Sequence, residues 1–108
     1  MADERYAERV LRLVEQIPRG EVLTYGVIAD LIGSGPRQVG AVMAHVGGGV
    51  PWWRVVRADG SLPDALRGRA AQHYRDEATP MTHDGIRVAV RSALWHVPPD
   101  LAVPEAPD

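Results

Sequence analysis

Three clusters of helix-breaking residues, Pro18-Arg19-Gly20, Gly33-Ser34-Gly35 and Gly47-Gly48-Gly49, cut the first half of this chain into short segments. Proline cannot continue a helical hydrogen-bond ladder, and glycine readily takes the left-handed backbone found at helix ends. The segments between the breakers carry helical periodicity. Residues 2–17 predict an amphipathic helix with Tyr6, Val10, Leu13, Val14 and Ile17 on one face and Arg and Glu opposite. Residues 21–23 predict a short connector. Thr24 then suits the N-cap of a second helix over 25–31, whose apolar face is Val27, Ile28 and Leu31. Pro36 suits the first position of a third helix, which runs through Val39, Val42 and Met43 to about Val46. Two short helices joined by a glycine turn outline a helix-turn-helix, a pattern that many small helical domains share.

The second half reads differently. Pro51-Trp52-Trp53-Arg54-Val55-Val56 predicts a β-like run, and Asp59-Gly60 a turn after it. Residues 65–78 predict a further helix, 86–90 a short strand, and 98–108 a flexible acidic tail. Strand structure following a helix-turn-helix makes a winged arrangement. The expected fold is therefore mainly α with a small β element, a winged helix-turn-helix, in one domain over residues 1–108; a chain of 108 residues has room for one compact core and not two.

Composition narrows the chemistry. The chain contains no cysteine, which removes disulfides, thiolate metal sites and cysteine nucleophiles. His45, His73, His83 and His96 have no metalloprotease spacing, so neither a metal site nor any other cofactor is expected. No run approaches the ~20 apolar residues that span a bilayer, and the charged start is unlike a signal peptide. A cytoplasmic protein with no membrane partner is the expectation. The net charge of −2 argues weakly against nucleic acid, but its distribution matters more. Residues 31–75 hold Arg37, Arg54, Arg57, Arg67, Arg69 and Arg75 against only Asp59 and Asp64. The acidic residues gather at both ends.

Three ordered segments together resemble one family, the O6-alkylguanine-DNA alkyltransferases and their alkyltransferase-like relatives. They are Pro18-Arg19-Gly20-Glu21-Val22-Leu23-Thr24-Tyr25-Gly26-Val27-Ile28-Ala29, Pro36-Arg37-Gln38-Val39-Gly40-Ala41-Val42-Met43, and Val50-Pro51-Trp52-Trp53-Arg54-Val55-Val56 with Gly60 beyond. Each alone could arise by chance; their order and spacing are specific, and the likeness covers about residues 5–78. The family's transferases carry Pro-Cys-His-Arg-Val in the third segment. Here Trp52 stands at the cysteine position, as in the alkyltransferase-like branch, and Trp53 stands where that branch usually keeps histidine.

The resemblance implies roles. Tyr25 would crowd a phosphate and help rotate a nucleotide out of the duplex. Arg37 would fill the gap left in the stack. The Ser34-Gly35-Pro36 turn and Gly40 would belong to the same DNA-binding face, with Gly40 also suggesting close approach of another backbone. Trp52 would wall a pocket for the flipped base, with Ala65 and Leu66 in a loop closing over it. Trp53 divides between pocket wall and core packing. Pro51 and Arg54 would fix the loop, Arg54 through backbone carbonyls, and Arg67 and Arg69 could reach phosphates. Glu77 lies near the family's relay acid, with no Cys-His pair to serve. No residue is expected to be catalytic, because alkyl transfer to protein needs an activated thiolate.

The function that follows is a non-enzymatic damage sensor. It would act as a monomer, bind duplex DNA containing O6-alkylguanine, flip the lesion and flag it to nucleotide-excision repair proteins. Two other readings stay open on the sequence: a winged-helix transcription regulator, which would normally need a dimer and a palindromic site, and an interaction module without lesion specificity.

Overall fold

A computed structural model describes residues 4–101. The elements in chain order are α1 (Glu4–Glu15), β1 (Leu23–Thr24), α2 (Tyr25–Ile32), α3 (Pro36–Val46), β2 (Val55–Val56), α4 (Asp64–Glu77) and α5 (Val90–Ala93). Single 3₁₀ turns occupy Gly47–Gly49 and Trp52–Arg54. The fold is mainly α with a small β element, as the periodicity predicts.

The helix boundaries follow local chemistry. α1 stops at Glu15, two residues before Ile17, and Ile17 continues in a tighter turn with its amide bonded to the Val14 carbonyl at 3.1 Å. The Thr24 side chain accepts from the Val27 amide at 3.1 Å and caps α2. Gly33 closes α2 at φ 86°, and its amide donates to the Ala29 carbonyl at 2.8 Å. Pro36 opens α3, as expected from its missing N–H.

β1 and β2 run parallel, with Leu23 opposite Val55 and Thr24 opposite Val56. Parallel strands need a crossover, and here the crossover is the α2–α3 pair itself. The sheet separates two cores, because successive strand residues face opposite ways. Leu23 and Val55 join Val10, Leu13, Ile28 and Val39 under the three N-terminal helices. Val22 and Val56 join Leu62, Ala70, Tyr74, Val88 and Ala93 beneath α4 and the C-terminal segment. That segment extends the sheet: Val22 donates to the Ala93 carbonyl and accepts from the Trp95 amide, both at 2.9 Å.

A buried ion pair ties the two halves. Arg54 meets Glu77 with Nε on Oε1 at 3.0 Å and its other arm on Oε2, while Arg54 Nη1 donates to the Ile17 carbonyl at 2.9 Å. Glu77 also accepts from the Gly20 amide at 3.1 Å and from the Trp53 indole at 3.0 Å. Its side chain is only 3% exposed. Burial pushes the Glu77 pKa up, but the bonds from Arg54, Gly20 and Trp53 outweigh it and hold the carboxyl below its ordinary range.

Three expectations change. The run from Pro51 to Val56 is strand only at its last two residues; Arg54 donates to the Pro51 carbonyl at 3.0 Å and closes a turn over Trp52–Arg54. Residues 86–90 form no strand. The Asp84 carboxylate gathers the Thr82 hydroxyl and the Ile86 amide into a turn, Val88 makes one bridge to Met81, and Val90 starts α5. The segment expected to be a tail begins differently: Leu101 packs on the first core, with its amide on the Pro98 carbonyl at 3.0 Å. The remainder of that segment, 102–108, lies outside the described residues.

Two outcomes test this architecture. Gly60 has φ 85°, and a Cβ there would meet the Val88 carbonyl oxygen at 2.0 Å. Gly60→Ala should cost more than about 2 kcal/mol in urea unfolding; an unshifted midpoint would mean that residue 88 can move aside. Glu77→Gln should cost on the order of 3 kcal/mol at neutral pH, since it strips a buried partner from Arg54. Because the folded-state pKa is depressed, this stabilisation is complete above the ordinary glutamate value near ~4.3 and is lost as pH falls through the lower folded-state value. The gap in thermal midpoint between the native protein and Glu77→Gln should therefore narrow below about pH 4. A gap that stays constant down to acid pH would place the effect in shape rather than charge.

Candidate nucleic-acid interface

Among its described side chains, α3 turns only Val39 fully into the core and leaves Arg37, Gln38, Ala41, Ala44 and His45 exposed. Its outer face is therefore open to solvent. Arg37 is the second residue of α3, and no hydrogen bond or ion pair engages it among the described residues. A cation near a helix N-terminus opposes the helix dipole, so stability does not explain its position.

The turn before α3 is braced from behind. Ser34 Oγ and the Tyr6 hydroxyl are 2.6 Å apart, Arg9 donates to the Ile32 carbonyl at 2.8 Å, and the Gly35 amide donates to Gln38 Oε1 at 2.9 Å. Ser34 and Ile32 are thus tied to α1, and Gly35 to the first turn of α3.

A cavity of about 260 Å³ opens beside α3. It is a little smaller than the ~300–1,000 Å³ typical of small-molecule sites. Tyr25, Gly40, Met43, Trp52, Leu66 and Arg69 line it, together with Leu62 and Pro63. The walls are mostly apolar. The Arg69 guanidinium carbon stands 5.5 Å from the Trp52 ring centroid, a cation–π distance. Tyr25, the first residue of α2, is half-buried; burial raises its phenol pKa, and the nearby Arg57 opposes that rise.

Gly40 departs from the sequence expectation. Nothing stands within 4 Å of the point a Cβ would occupy, so no backbone approaches it. Its missing side chain instead keeps open the space in front of α3, on the cavity wall.

The structure brings Tyr25, Gly40, Trp52 and Leu66 together around one cavity and leaves two of the expected pocket residues elsewhere. Ala65 is exposed on the first turn of α4 and does not line it. Trp53 faces a wider, more open hollow of about 850 Å³ with Arg19, Pro51, Arg54 and His73. There the Trp53 and His73 rings are stacked, 3.6 Å apart and within 4° of parallel. Arg54 does bind a backbone carbonyl, that of Ile17, as the loop-fixing role requires, but its principal partner is Glu77. The four bonds that Glu77 receives fill the acceptor capacity of a carboxylate. It acts as a bracket, with no lone pair left to relay a proton.

Sequence reasoning missed Met43, Leu62, Pro63 and His73, and gave Arg69 only a phosphate role. A signal existed for two of them. Leu66, Arg69 and His73 recur at helical spacing along α4 and so share one face. Reading that stripe, with Leu66 already assigned to the pocket, would have put Arg69 and His73 on the same face of α4 as Leu66.

Comparison with known proteins agrees with this geometry. The family described as "6-O-methylguanine DNA methyltransferase, DNA binding domain" matches residues 5–79. A protein of Escherichia coli (strain K12) named "DNA base-flipping protein" is 40% identical over 77 residues, covering 64% of this chain and 60% of that relative's length. The "Alkyltransferase-like protein 1" of Schizosaccharomyces pombe is 34% identical over 90 residues, covering 80% of each chain. The crystal structure of S. pombe Atl1 in complex with damaged DNA containing O6-carboxymethylguanine superposes with a TM-score of 0.74 at 27% identity, over 88% of this chain and 98% of that one. With its matched segments arranged about one cavity beside the exposed α3, the chain belongs to the family of the 6-O-methylguanine DNA methyltransferase DNA-binding domain.

Proposed function

We propose that this protein is a monomeric, non-enzymatic sensor that binds duplex DNA, flips O6-alkylguanine into the Trp52 cavity and holds it there. The observation that carries the reading is the cavity itself. An indole stands at the family's cysteine position and faces a mostly apolar space beside α3. A flipped base is held by stacking and by contacts to its edge, and an O6-alkyl group adds apolar surface that suits such walls. The S. pombe relative was crystallised with damaged DNA, which supports the same ligand class here. The name of the E. coli relative supports the flipping step.

The absence of any thiol removes the outlet for the alkyl group. Indole has no lone pair nucleophilic at neutral pH, so a bound lesion would leave the site unchanged. Removal must then fall to other enzymes, and we assign the complex the role of flagging the lesion for nucleotide-excision repair in the cytoplasm. No described helix is long and apolar enough to cross a membrane.

The direct test compares binding to duplexes with and without one O6-methylguanine at one fixed salt concentration, since phosphate contacts make affinity salt-dependent. Preference for the damaged duplex, with the intact protein mass unchanged after incubation, is the expected result. Equal affinity for both duplexes, or a stable gain of one methyl group, would end the reading.

Two substitutions probe the interface. Arg37→Ala should weaken lesion binding more than Arg91→Ala, because a group that fills the vacated stack offsets part of an unstacking penalty of a few kcal/mol. If Arg37→Ala lowers affinity for both duplexes by the same factor, only a phosphate contact remains. Gly40→Ala should raise thermal stability, as removing a helix-interior glycine gains roughly 0.5–1 kcal/mol where space allows, yet weaken lesion binding by putting a methyl group on the cavity wall. Greater stability with unaltered lesion affinity would remove Gly40 from the interface.

A further inference from the structure

Trp52 is only half-buried and lies on a single 3₁₀ turn rather than on a helix or strand. A side chain so placed keeps one orientation only if neighbours on firmer elements hold it. Two rings do so. The Trp52 ring stands nearly perpendicular to Trp53, with centroids 5.6 Å apart at 86°, and to His73, 5.9 Å apart at 82°. Edge-to-face contacts of this kind are favoured by the ring quadrupole.

The two supporting rings are themselves fixed. They stack on one another at 3.6 Å. The Trp53 indole N–H donates to Glu77, and the Trp53 carbonyl accepts from the buried Tyr74 hydroxyl at 2.6 Å. Glu77, Tyr74 and His73 all belong to α4. The rigidity of a 14-residue helix is thereby passed to a residue on a short turn.

We propose that the Trp53–His73 stack is a buttress that presets Trp52 as the cavity wall. Discrimination between alkylated and normal guanine depends on it, although neither residue lines the cavity. The discrimination rests on the function proposed above; the preset orientation of Trp52 does not. His73 is a positioning residue, acting through Trp53 and Trp52 and not through the base. Without it, the Trp52 indole would sample several rotamers when free and would have to be ordered on binding.

The test uses His73→Ala, which removes the ring, and His73→Phe, which keeps a flat ring for the stack. His73 is partly exposed and makes no hydrogen bond among the described residues, so neither change orphans a polar group. The first readout needs no DNA. In ¹⁵N-labelled protein the Trp52 indole N–H resonance, identified by its loss in Trp52→Phe, should be single and sharp in the native protein and in His73→Phe. In His73→Ala it should broaden or split. The second readout is the ratio of affinities for the O6-methylguanine and undamaged duplexes. It should fall about three- to tenfold in His73→Ala, the range expected for ordering one side chain, and return in His73→Phe, with thermal midpoints unchanged. A Trp52 resonance indifferent to His73→Ala would overturn the proposal. So would an equal loss in both variants, which would assign the effect to imidazole polarity, or a parallel fall for both duplexes, which would make His73 merely structural. A native protein that binds both duplexes alike would end the functional reading and leave the resonance to decide on the buttress.

Discussion

The paired Arg54 and Glu77 are the constraint on which the rest of the arrangement depends. An ion pair this buried, with side chains 12% and 3% exposed, is stable only if hydrogen bonds replace the water it loses. The surrounding structure supplies them from separate parts of the chain: the tight turn after α1 through Ile17, the loop that follows through Gly20, and the 3₁₀ turn through Trp53. Satisfying one carboxylate and one guanidinium thus fixes where three segments meet. The close fit of the Gly20 turn against α4, where a Cβ would come within 2.9 Å of the Glu77 carbonyl oxygen, belongs to the same junction.

This junction also bears on the chemistry that the resemblance implies, a relay acid near Glu77 and, usually, a histidine at position 53. In this chain the carboxylate is saturated by an indole N–H, a guanidinium and an amide, and its pKa is held low. The acid that the resemblance places near a relay here anchors an aromatic ring.

Much of this was legible in the sequence where the determining interactions are local. The Thr24 cap, the Gly33 stop and Pro36 at the start of α3 are each decided within a few residues, and the periodicity of α1 and α4 gives their faces. The misreadings fall where distant contacts decide. Trp52 to Arg54 looks extended because aromatic and β-branched residues favour strands, but its turn is set by Glu77 and Tyr74 far along the chain. The run over 86–90 carries strand-like residues, yet its amides go to separate partners, Ile86 and Arg87 to the local Asp84–Thr82 turn and Val88 to the distant Gly60 carbonyl. The cavity was only half legible. The resemblance supplied Tyr25, Gly40, Trp52 and Leu66, whereas the stacking of Trp53 on His73 depends on how α4 crosses the turn, and no spacing rule encodes that. Gly40 was read as a close approach because glycine marks both crowding and vacancy, and the sequence cannot distinguish the two.

The pairing of Val22 with the segment around Leu94 bears on the order in which the molecule can assemble. α1, α2 and α3 are near neighbours in sequence, and the α2–α3 crossover joins β1 to β2. The backbone groups of Val22 find their partners only when residues 93–95 arrive. On a ribosome, which feeds the chain from its N-terminus, the three helices would meet while the first core still lacked Leu94 and Trp95 and the second still lacked Val88 and Ala93. The segment that contributes nothing to the cavity is therefore a latch between the two cores, since it satisfies the backbone of Val22 while packing Leu94 and Trp95 on one side of the sheet and Ala93 on the other.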